Sequence, residues 1–349
     1  MSVTMAIVDV SNICHRALHV IRNFETFDDR LGQTITIVFQ SLRKVYERFG
    51  AKHCVMCFDS SSWRKDVYPE YKANRNRQER TEEDQQQHEI VVRVLKDLHY
   101  FFTNFTNVTV LESRGIEADD FIARWTEVHD DPVFKHIIIS ADSDFKQLVR
   151  GNVELYNPIS NTLYANGRIL FQDGKRPKRD EPTQYAYGET WKIKTKQVKQ
   201  KALDGQIDYV TEPELFDPDW ALFLKVMRGD SSDNIKAAFP RVREERLRKA
   251  FANRGGEEWN NLINDSFTVG DDTRKVRPLY ERNKSLIDLK AQPDEIKERI
   301  DQAMAEAMVK PKKMMVQVYF LKFCNGYRLP NLAKQADAIT GILASPYDA

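Results

Sequence analysis

Acidic side chains stand at the ends of several apolar segments of this 349-residue chain. Five segments are typical of strands: residues 5–9, 54–59, 108–111, 137–144 and 153–156. The first four of these end on or lead to carboxylates. Crowded carboxylates repel one another and raise each other's pKa values unless a cation lies among them. The pattern therefore predicts a site for divalent metal ions.

The elements that must position these carboxylates follow from the same segments. Short apolar runs that alternate with helical patterns are typical of buried parallel strands. In an open α/β sheet the ligand site lies outside the carboxyl ends of the strands, where carboxylates from separate segments meet. We therefore predict an α/β fold with a mostly parallel central sheet flanked by helices. Residues 1–158 form this core, residues 159–215 a basic insertion, and residues 216–349 a helical region.

Composition suits an acidic site inside an otherwise basic protein. The net charge is +1, and setting aside nine site carboxylates leaves the remainder at about +10, which suits a polyanionic partner. No apolar stretch is long enough to span a membrane and the N-terminus lacks a signal-peptide pattern, so we expect a soluble, cytoplasmic protein. Cys54 and Cys57 have an odd offset within one strand, which predicts buried thiols on opposite faces and no metal site.

Each acidic motif alone has a structural alternative. Asp9 ends an apolar run before a helix start, and Glu117, Asp119 and Asp120 in a first helical turn can serve the helix dipole. The segment 229–234, with Asp230 and Asp233, can be a plain turn. Asp142 and Asp144 alternate at a strand end, a spacing suited to two hard cations. The combination is much more specific than any one motif.

Taken in order, these motifs resemble the flap endonuclease and 5′-3′ exonuclease superfamily. The resemblance rests on Asp9, Asp59 and residues 68–75, 115–120, 140–144 and 229–234, and residues 280–288 are similar to its T-even ribonuclease H branch. It covers most of residues 1–158 and 216–330 but not the insertion. It implies a PIN-like nuclease core, a helical arch at about residues 60–105, and a C-terminal region containing a helix-three-turn-helix-like duplex-binding motif.

The resemblance also implies roles for single residues. Two Mg²⁺ ions, which Mn²⁺ can replace, are expected among nine carboxylates. Asp9, Asp59, Glu117, Asp119, Asp120 and Asp142 surround the first ion, and Asp142, Asp144, Asp230 and Asp233 surround the second. The catalytic set is Asp9, Asp59, Lys72, Arg75, Asp120 and Asp142.

Nucleic-acid contacts are expected at two places. Near the acidic site they are Arg16, Tyr71, Lys72 and Arg75, although Tyr71 has a core position as its alternative. In the helical region they are Arg241, Arg243, Arg246 and Arg248, which give affinity without base readout. Residues 235–249 lack the family's glycine-containing turn, so the resemblance does not extend to that turn or to its potassium ion.

The function implied is a metal-dependent, structure-selective 5′ nuclease that removes RNA primers and 5′ flaps in DNA replication. Its substrates would be DNA with 5′ flaps or nicks and RNA:DNA hybrids. Its candidate protein partners are a single-strand-binding protein and a sliding clamp, and we expect a monomer. A PIN-like endoribonuclease and a non-catalytic junction-binding protein are the alternatives. Residues 170–201 are basic with interleaved aromatics, which predicts an auxiliary phosphate contact, with a partnerless surface loop as the alternative.

Overall fold

A nine-stranded sheet forms the centre of the computed structural model, which describes residues 3–21, 25–76, 81–201 and 207–347. Its strands are β1 (Val3–Asp9), β2 (His53–Cys57), β3 (Thr109–Leu111), β4 (Phe134–Ile139), β5 (Val153–Asn157), β6 (Thr162–Ala165), β7 (Arg168–Phe171), β8 (Thr183–Ala186) and β9 (Glu189–Ile193). They lie in the order β3-β2-β1-β4-β5-β6-β7-β9-β8. The first five strands pair in parallel and the rest pair antiparallel. The sheet as a whole is mixed, and the predicted parallel arrangement is confirmed for its core, strands β1 to β5.

Helices cover both faces of the sheet and build the region that follows it. They are α1 (Val10–Val20), α2 (Phe27–Phe49), α3 (Arg64–Val67), α4 (Glu82–Phe105), α5 (Ala118–Val128), α6 (Pro218–Arg228), α7 (Glu244–Ala252), α8 (Glu257–Ile263), α9 (Val276–Ile287), α10 (Asp294–Met308), α11 (Val316–Gly326), α12 (Pro330–Ala333) and α13 (Ala336–Leu343). Helices α1, α2, α4, α11 and α13 bury one face, and α5 and α10 bury the other. Within the described ranges, no helix is long and apolar enough to cross a membrane.

Alternate side chains of each central strand point to opposite faces of the sheet, so each strand contributes to two cores. Ala6 and Val8 pack in one core, and Ile7 between them packs in the other. Cys54 and Cys57 follow the same rule, because both are buried but belong to different cores. Their predicted burial on opposite faces is confirmed.

Helix α4 corrects the predicted arch. Ile90, Val94 and Leu98 on this helix are fully buried against the sheet, with α1 and α2 as neighbours. An arch of residues 60–105 is therefore too long, because its second half belongs to the core. Residues 60–76 and 81 are the described part of the remaining arch, and residues 77–80 lie outside the described residues.

Much of the basic insertion is part of the central sheet. Residues 162–193 form four antiparallel strands that continue the central sheet. Leu163, Leu170 and Trp191 on these strands are fully buried in the same core as α2. A separate hairpin, β10 (Thr195–Lys201) with β11 (Ile207–Pro213), follows the sheet. The many charged residues between these apolar positions hid the strands from the periodicity argument.

The helical region has its own small core. Phe223 of α6, Leu247 of α7, Leu262 of α8 and Val276 of α9 meet there, beside the hairpin β12 (Ser266–Val269) with β13 (Asp272–Lys275). Successive turns over residues 229–243 join α6 to α7. The duplex-binding role assigned to this helix, turns and helix stays a prediction.

Truncating Trp191 tests whether the insertion is part of the folded core. Trp191 on β9 is fully buried, while Tyr185 on the neighbouring strand β8 is 74% exposed. Trp191→Ala should lower the free energy of unfolding by about 3–5 kcal/mol because it leaves a large cavity, and Tyr185→Ala should change it by less than about 0.5 kcal/mol. Urea denaturation measures both. Equal, small effects would mean that strands β6 to β9 contribute little to the core.

Candidate metal and nucleic-acid site

Four carboxylates meet at the carboxyl edge of the sheet. Asp9 ends β1 and caps α1, accepting from the Asn12 backbone N–H at 2.9 Å and from the Ser140 hydroxyl at 3.2 Å. Asp59 follows β2 and accepts from the backbone N–H of Ala118 at 2.9 Å. Asp142 follows β4, and Asp119 lies in the first turn of α5. Strand ends and a helix start therefore bring separate segments together, as predicted.

These four carboxylates repel one another. Burial, followed by the charges of Asp59 and Asp142, raises the pKa of Asp9 to about 7. Burial, followed by the charges of Asp9, Asp142 and Asp59, raises the pKa of Asp119 well above its usual value. A divalent cation among the four would remove this repulsion, and carboxylate oxygens are the donors that a hard cation prefers.

A second group consists of Asp144, Asp230 and Asp233, each with a carboxylate oxygen within 4.8 Å of the others. The Lys225 ammonium lies against it, in contact with Asp144 and 2.7 Å from Asp230. Burial and the charge of Asp142 nevertheless raise the pKa of Asp144 to about 6. Asp142 thus acts on both groups. Their oxygen donors suit a hard cation such as Mg²⁺.

Asp120 does not belong to either group, which corrects its predicted catalytic and metal-binding roles. Its side chain is completely buried and accepts from both terminal nitrogens of Arg64, at 2.8 and 3.1 Å, and from the Trp63 indole at 3.1 Å. Gln292 also donates to it. Arg64 is itself only 1% exposed. The pair is a buried salt bridge that anchors the base of the arch.

Glu117 stands between this salt bridge and the metal groups. One carboxylate oxygen accepts from Ser62 at 2.6 Å, Arg64 at 3.0 Å and Tyr71 at 3.2 Å, and the other accepts from Lys72 at 2.5 Å. Although burial opposes the effect, the cations of Lys72 and Arg64 hold the pKa of Glu117 below its usual value. Glu117 is therefore already neutralised by the protein, unlike Asp9 and Asp119.

The base of the arch is docked on the turn that carries Asp233. The Lys72 backbone N–H donates to the Asp233 carbonyl at 3.0 Å, and the Arg75 guanidinium lies 2.8 Å from the Asp233 carboxylate. Gly229 makes this turn possible, because at φ 72° a Cβ would lie 2.3 Å from the Ile235 carbonyl oxygen. Both predicted arch cations are therefore at the acidic site.

Tyr71 is a core residue, which corrects its predicted role in base stacking. Only 4% of it is exposed, and its ring packs with Val226, Ile235 and Leu286. Its hydroxyl donates toward Glu117 and Asp233, at 3.2 and 3.0 Å. A buried ring offers no face to a nucleotide base.

The predicted nucleic-acid arginines differ in their partners. Arg16 has its Nε and one terminal nitrogen buried without a hydrogen-bond partner among the described residues. Arg241 and Arg243 are exposed, and in the described ranges neither forms an ion pair. Arg246 is paired with Asp265 and Arg248 with Glu244, each at 2.8 Å. Arg16, Arg241 and Arg243 are thus better placed to accept a phosphate.

Sequence reasoning missed several residues that shape the site. Lys225 lies five positions before Asp230, and no motif marks it. Arg64 was missed too, because charge alone does not reveal burial. Asn12 and Ser140 were also missed: the Asn12 backbone N–H and the Ser140 hydroxyl both donate to Asp9.

Known proteins resemble this chain in sequence. Residues 4–173 match the family described as 5′-3′ exonuclease, N-terminal resolvase-like domain. A 5′-3′ exonuclease of Aquifex aeolicus is 25% identical over 178 residues, which are 50% of this chain and 58% of that relative. DNA polymerase I of Mycobacterium tuberculosis is 26% identical over 297 residues, 82% of this chain but 27% of the polymerase.

A solved structure shares the fold. The bacteriophage T5 flap endonuclease, crystallised in a pseudo-enzyme-product complex with DNA and metal ions, superimposes with a TM-score of 0.56 at 18% identity, covering 87% of this chain and 98% of that one. The family match over residues 4–173 and the relatives named above support the flap endonuclease and 5′-3′ exonuclease superfamily. These relatives do not test the predicted likeness to the T-even ribonuclease H branch, which stays a prediction.

The neighbouring residues Asp119 and Asp120 should respond in opposite ways to the same substitution. Asp120→Asn leaves the buried Arg64 cation without its main partner and should cost about 3–5 kcal/mol of unfolding free energy. Asp119→Asn removes a repelled charge, so stability should not fall, but Mg²⁺ affinity should drop by at least about 10-fold. Urea unfolding in EDTA and calorimetric Mg²⁺ titration measure the two effects. Lost metal affinity in a fully stable Asp120→Asn protein would restore Asp120 as a ligand.

Proposed function

We propose that this protein is a metal-dependent, structure-selective 5′ nuclease that hydrolyses phosphodiester bonds in 5′-flap DNA and in RNA primers during DNA replication. One observation carries the proposal. Seven carboxylates from separate segments converge at one edge of the sheet, and the pKa values of Asp9, Asp119 and Asp144 are raised there. A protein that only bound nucleic acid would not concentrate negative charge where phosphates must approach.

The two groups of carboxylates are the proposed metal ligands. Asp9, Asp59, Asp119 and Asp142 would hold one Mg²⁺, and Asp144, Asp230 and Asp233 the other, with Asp142 between them. When bound, two such ions activate a water molecule and stabilise the charge that develops on the leaving 3′ oxygen. Mn²⁺ is expected to substitute, since it takes the same oxygen donors.

Cations of the arch are proposed to position the scissile phosphate. Lys72 is 2.5 Å from Glu117, and Arg75 is 2.8 Å from Asp233, so both are held beside the carboxylates before substrate arrives. A phosphate would compete for these cations, and Arg16 would add guanidinium donors that have no partner in the described part of the chain. Charge-assisted contacts of this kind favour the substrate phosphate directly at the site.

The helical region is proposed to hold the duplex part of the substrate. Arg241 and Arg243 lie on the exposed turns between α6 and α7, close to the loop that carries Asp230 and Asp233. Backbone contacts from such arginines provide affinity but no base specificity. Selection would then depend on the shape of the nucleic acid, as a flap nuclease requires.

The replicative role is inferred from the relatives. One is named a 5′-3′ exonuclease and another a DNA polymerase I, and the chain aligns with only part of each. A PIN-like endoribonuclease would share the sheet and acidic edge, but the docking of Asp233 against the arch and the helical region behind it suit a flap substrate better.

Cleavage assays separate the proposals. Labelled 5′-flap DNA, an RNA:DNA hybrid and single-stranded RNA are incubated with purified protein in Mg²⁺ or in EDTA. We expect Mg²⁺-dependent cleavage of the flap and the hybrid, and at least about 100-fold slower cleavage by Asp119→Asn because it removes a metal ligand.

Other outcomes are equally informative. Preferred cleavage of single-stranded RNA would support the endoribonuclease. Tight flap binding by the wild-type protein with no cleavage in Mg²⁺ or Mn²⁺ would support a junction-binding protein and contradict our proposal. Asp119→Asn should still bind the flap, which separates a loss of chemistry from a loss of folding.

A further inference from the structure

A strongly basic loop, residues 172–182, joins β7 to β8, and all but its first two residues lie beyond the region matched by the family. Lys175, Arg176, Lys178 and Arg179 are all exposed on it. The described residues place no carboxylate within ion-pairing distance of any of the four. Four unpaired cations within five positions form a concentrated positive surface.

Lys192 of β9 keeps the loop positively charged, because it neutralises the two acidic residues at the base of the loop. Its side chain is only 8% exposed, and its ammonium lies 3.1 Å from Asp173 and 3.4 Å from Glu181. Asp173 also accepts from the backbone N–H of Lys175, and Glu181 from that of Lys178, both at 3.0 Å. The loop therefore has a defined shape, and Asp180 is the one acidic residue left beside its four cations.

The strand register places this loop at the same edge of the sheet as the metal site. Val8 of β1 is paired with a residue of the next strand, and that residue is paired in turn with one of the strand after it. The partners across the sheet are, in order, Ile139, Tyr156, Leu163, Leu170 and Ile193. Because β7 runs parallel to β1 and β9 runs opposite to both, Lys192 is level with Asp9. The basic loop and the carboxylates thus lie at the same edge of the sheet.

The separation follows from the strand order. Five steps between neighbouring strands lead from β1 through β4, β5, β6 and β7 to β9. At about 4.8 Å per step the loop lies roughly 24 Å from Asp9 along the sheet. With a rise of about 3.4 Å per base pair, this distance corresponds to about seven base pairs of duplex DNA.

We propose that the loop of residues 172–182 binds the phosphate backbone of the nucleic-acid substrate about seven nucleotides from the proposed cleavage site. The distance rests on the proposed function, whereas the binding itself does not require catalysis. The contact is independent of base sequence, because lysine and arginine side chains on an exposed loop neutralise phosphates. Lys192 acts as a positioning residue that keeps Asp173 and Glu181 away from the phosphates.

Binding is measured by fluorescence anisotropy in EDTA, so that hydrolysis plays no part. The test variant replaces Lys175, Arg176, Lys178 and Arg179 by Ala. A charge-matched control replaces Lys310, Lys312, Lys322 and Lys334, which are exposed in the C-terminal segment. The backbone of Lys313, next to Lys312, hydrogen-bonds to Asn107, which precedes β3 and therefore lies at the amino ends of the parallel strands, opposite the metal site. The substrates are flaps in which one arm, either the duplex or the 5′ single strand, is varied in length. The varied arm has about five nucleotides in the short substrates and about 20 in the long ones, so the two lengths bracket the predicted distance.

We expect the test variant to weaken binding of the long substrates by about 10-fold at moderate salt, and the slope of log affinity against log salt to become shallower by about 2 to 4. The ratio of variant to wild-type dissociation constants should approach one on the short substrates. The control should give a ratio near one throughout. If the loss of affinity appears only when the duplex arm is long, the loop binds the duplex. If it appears only when the 5′ arm is long, the loop binds the single strand.

Lys192→Met provides a second test that keeps all four loop cations. Freeing Asp173 and Glu181 should weaken binding of long substrates by about 3-fold, with circular dichroism confirming an intact fold. An unchanged salt slope, or an equal loss with the control variant, would overturn the proposal. If the wild-type protein fails to cleave any substrate but the length-dependent loss is found, the proposed function fails and the loop contact stands.

Discussion

Electrostatic repulsion among carboxylates is the constraint on which the site depends. The parallel strands deliver Asp9, Asp59 and Asp142 to one edge, and the start of α5 adds Asp119. Burial makes the repulsion stronger, as the raised pKa of Asp9 shows. The stability gained by the two apolar cores must outweigh this cost in the metal-free protein, and a bound cation removes it.

The protein neutralises some of these carboxylates itself and leaves others without a fixed cation. Arg64 pairs with Asp120, Lys72 with Glu117, Lys225 with Asp230, and Arg75 with Asp233. The Asp120 pair is completely buried and serves the fold. The other three pairs lie at the rim of the site, where metal or phosphate could exchange for one partner. Asp9 and Asp119 have no such pair in the described ranges, which makes them the centre of the proposed metal chemistry.

The sequence predicted the sheet and the acidic edge because both depend on local pattern. Apolar runs identify buried strands, and their carboxyl ends indicate where carboxylates meet. Asp119 and Asp120 could not be distinguished in this way. Consecutive helical residues point about 100° apart, so one faces the site and the other faces Arg64, and only the packing of α5 determines which.

Two further differences have the same origin. Tyr71 is an aromatic residue within a basic segment, which does not show whether its ring is buried. Its burial depends on the contact between the arch and residues 226–235. The strands of residues 162–193 alternate too irregularly for a sequence pattern, and they are stabilised by pairing with β5 and by burial of Trp191. Long-range contacts therefore settled what local periodicity left open.

Calorimetric titration of the metal-free protein with Mg²⁺ tests the central claim most directly. Repeating it near pH 7 in buffers of different ionisation enthalpy reports proton release, since the raised pKa values of Asp9 and Asp119 mean that the metal must displace protons. The account predicts two bound ions per chain, with protons released, and a release that shrinks as the pH rises above the pKa of Asp9. Absence of binding, or binding with no proton release near pH 7, would contradict it.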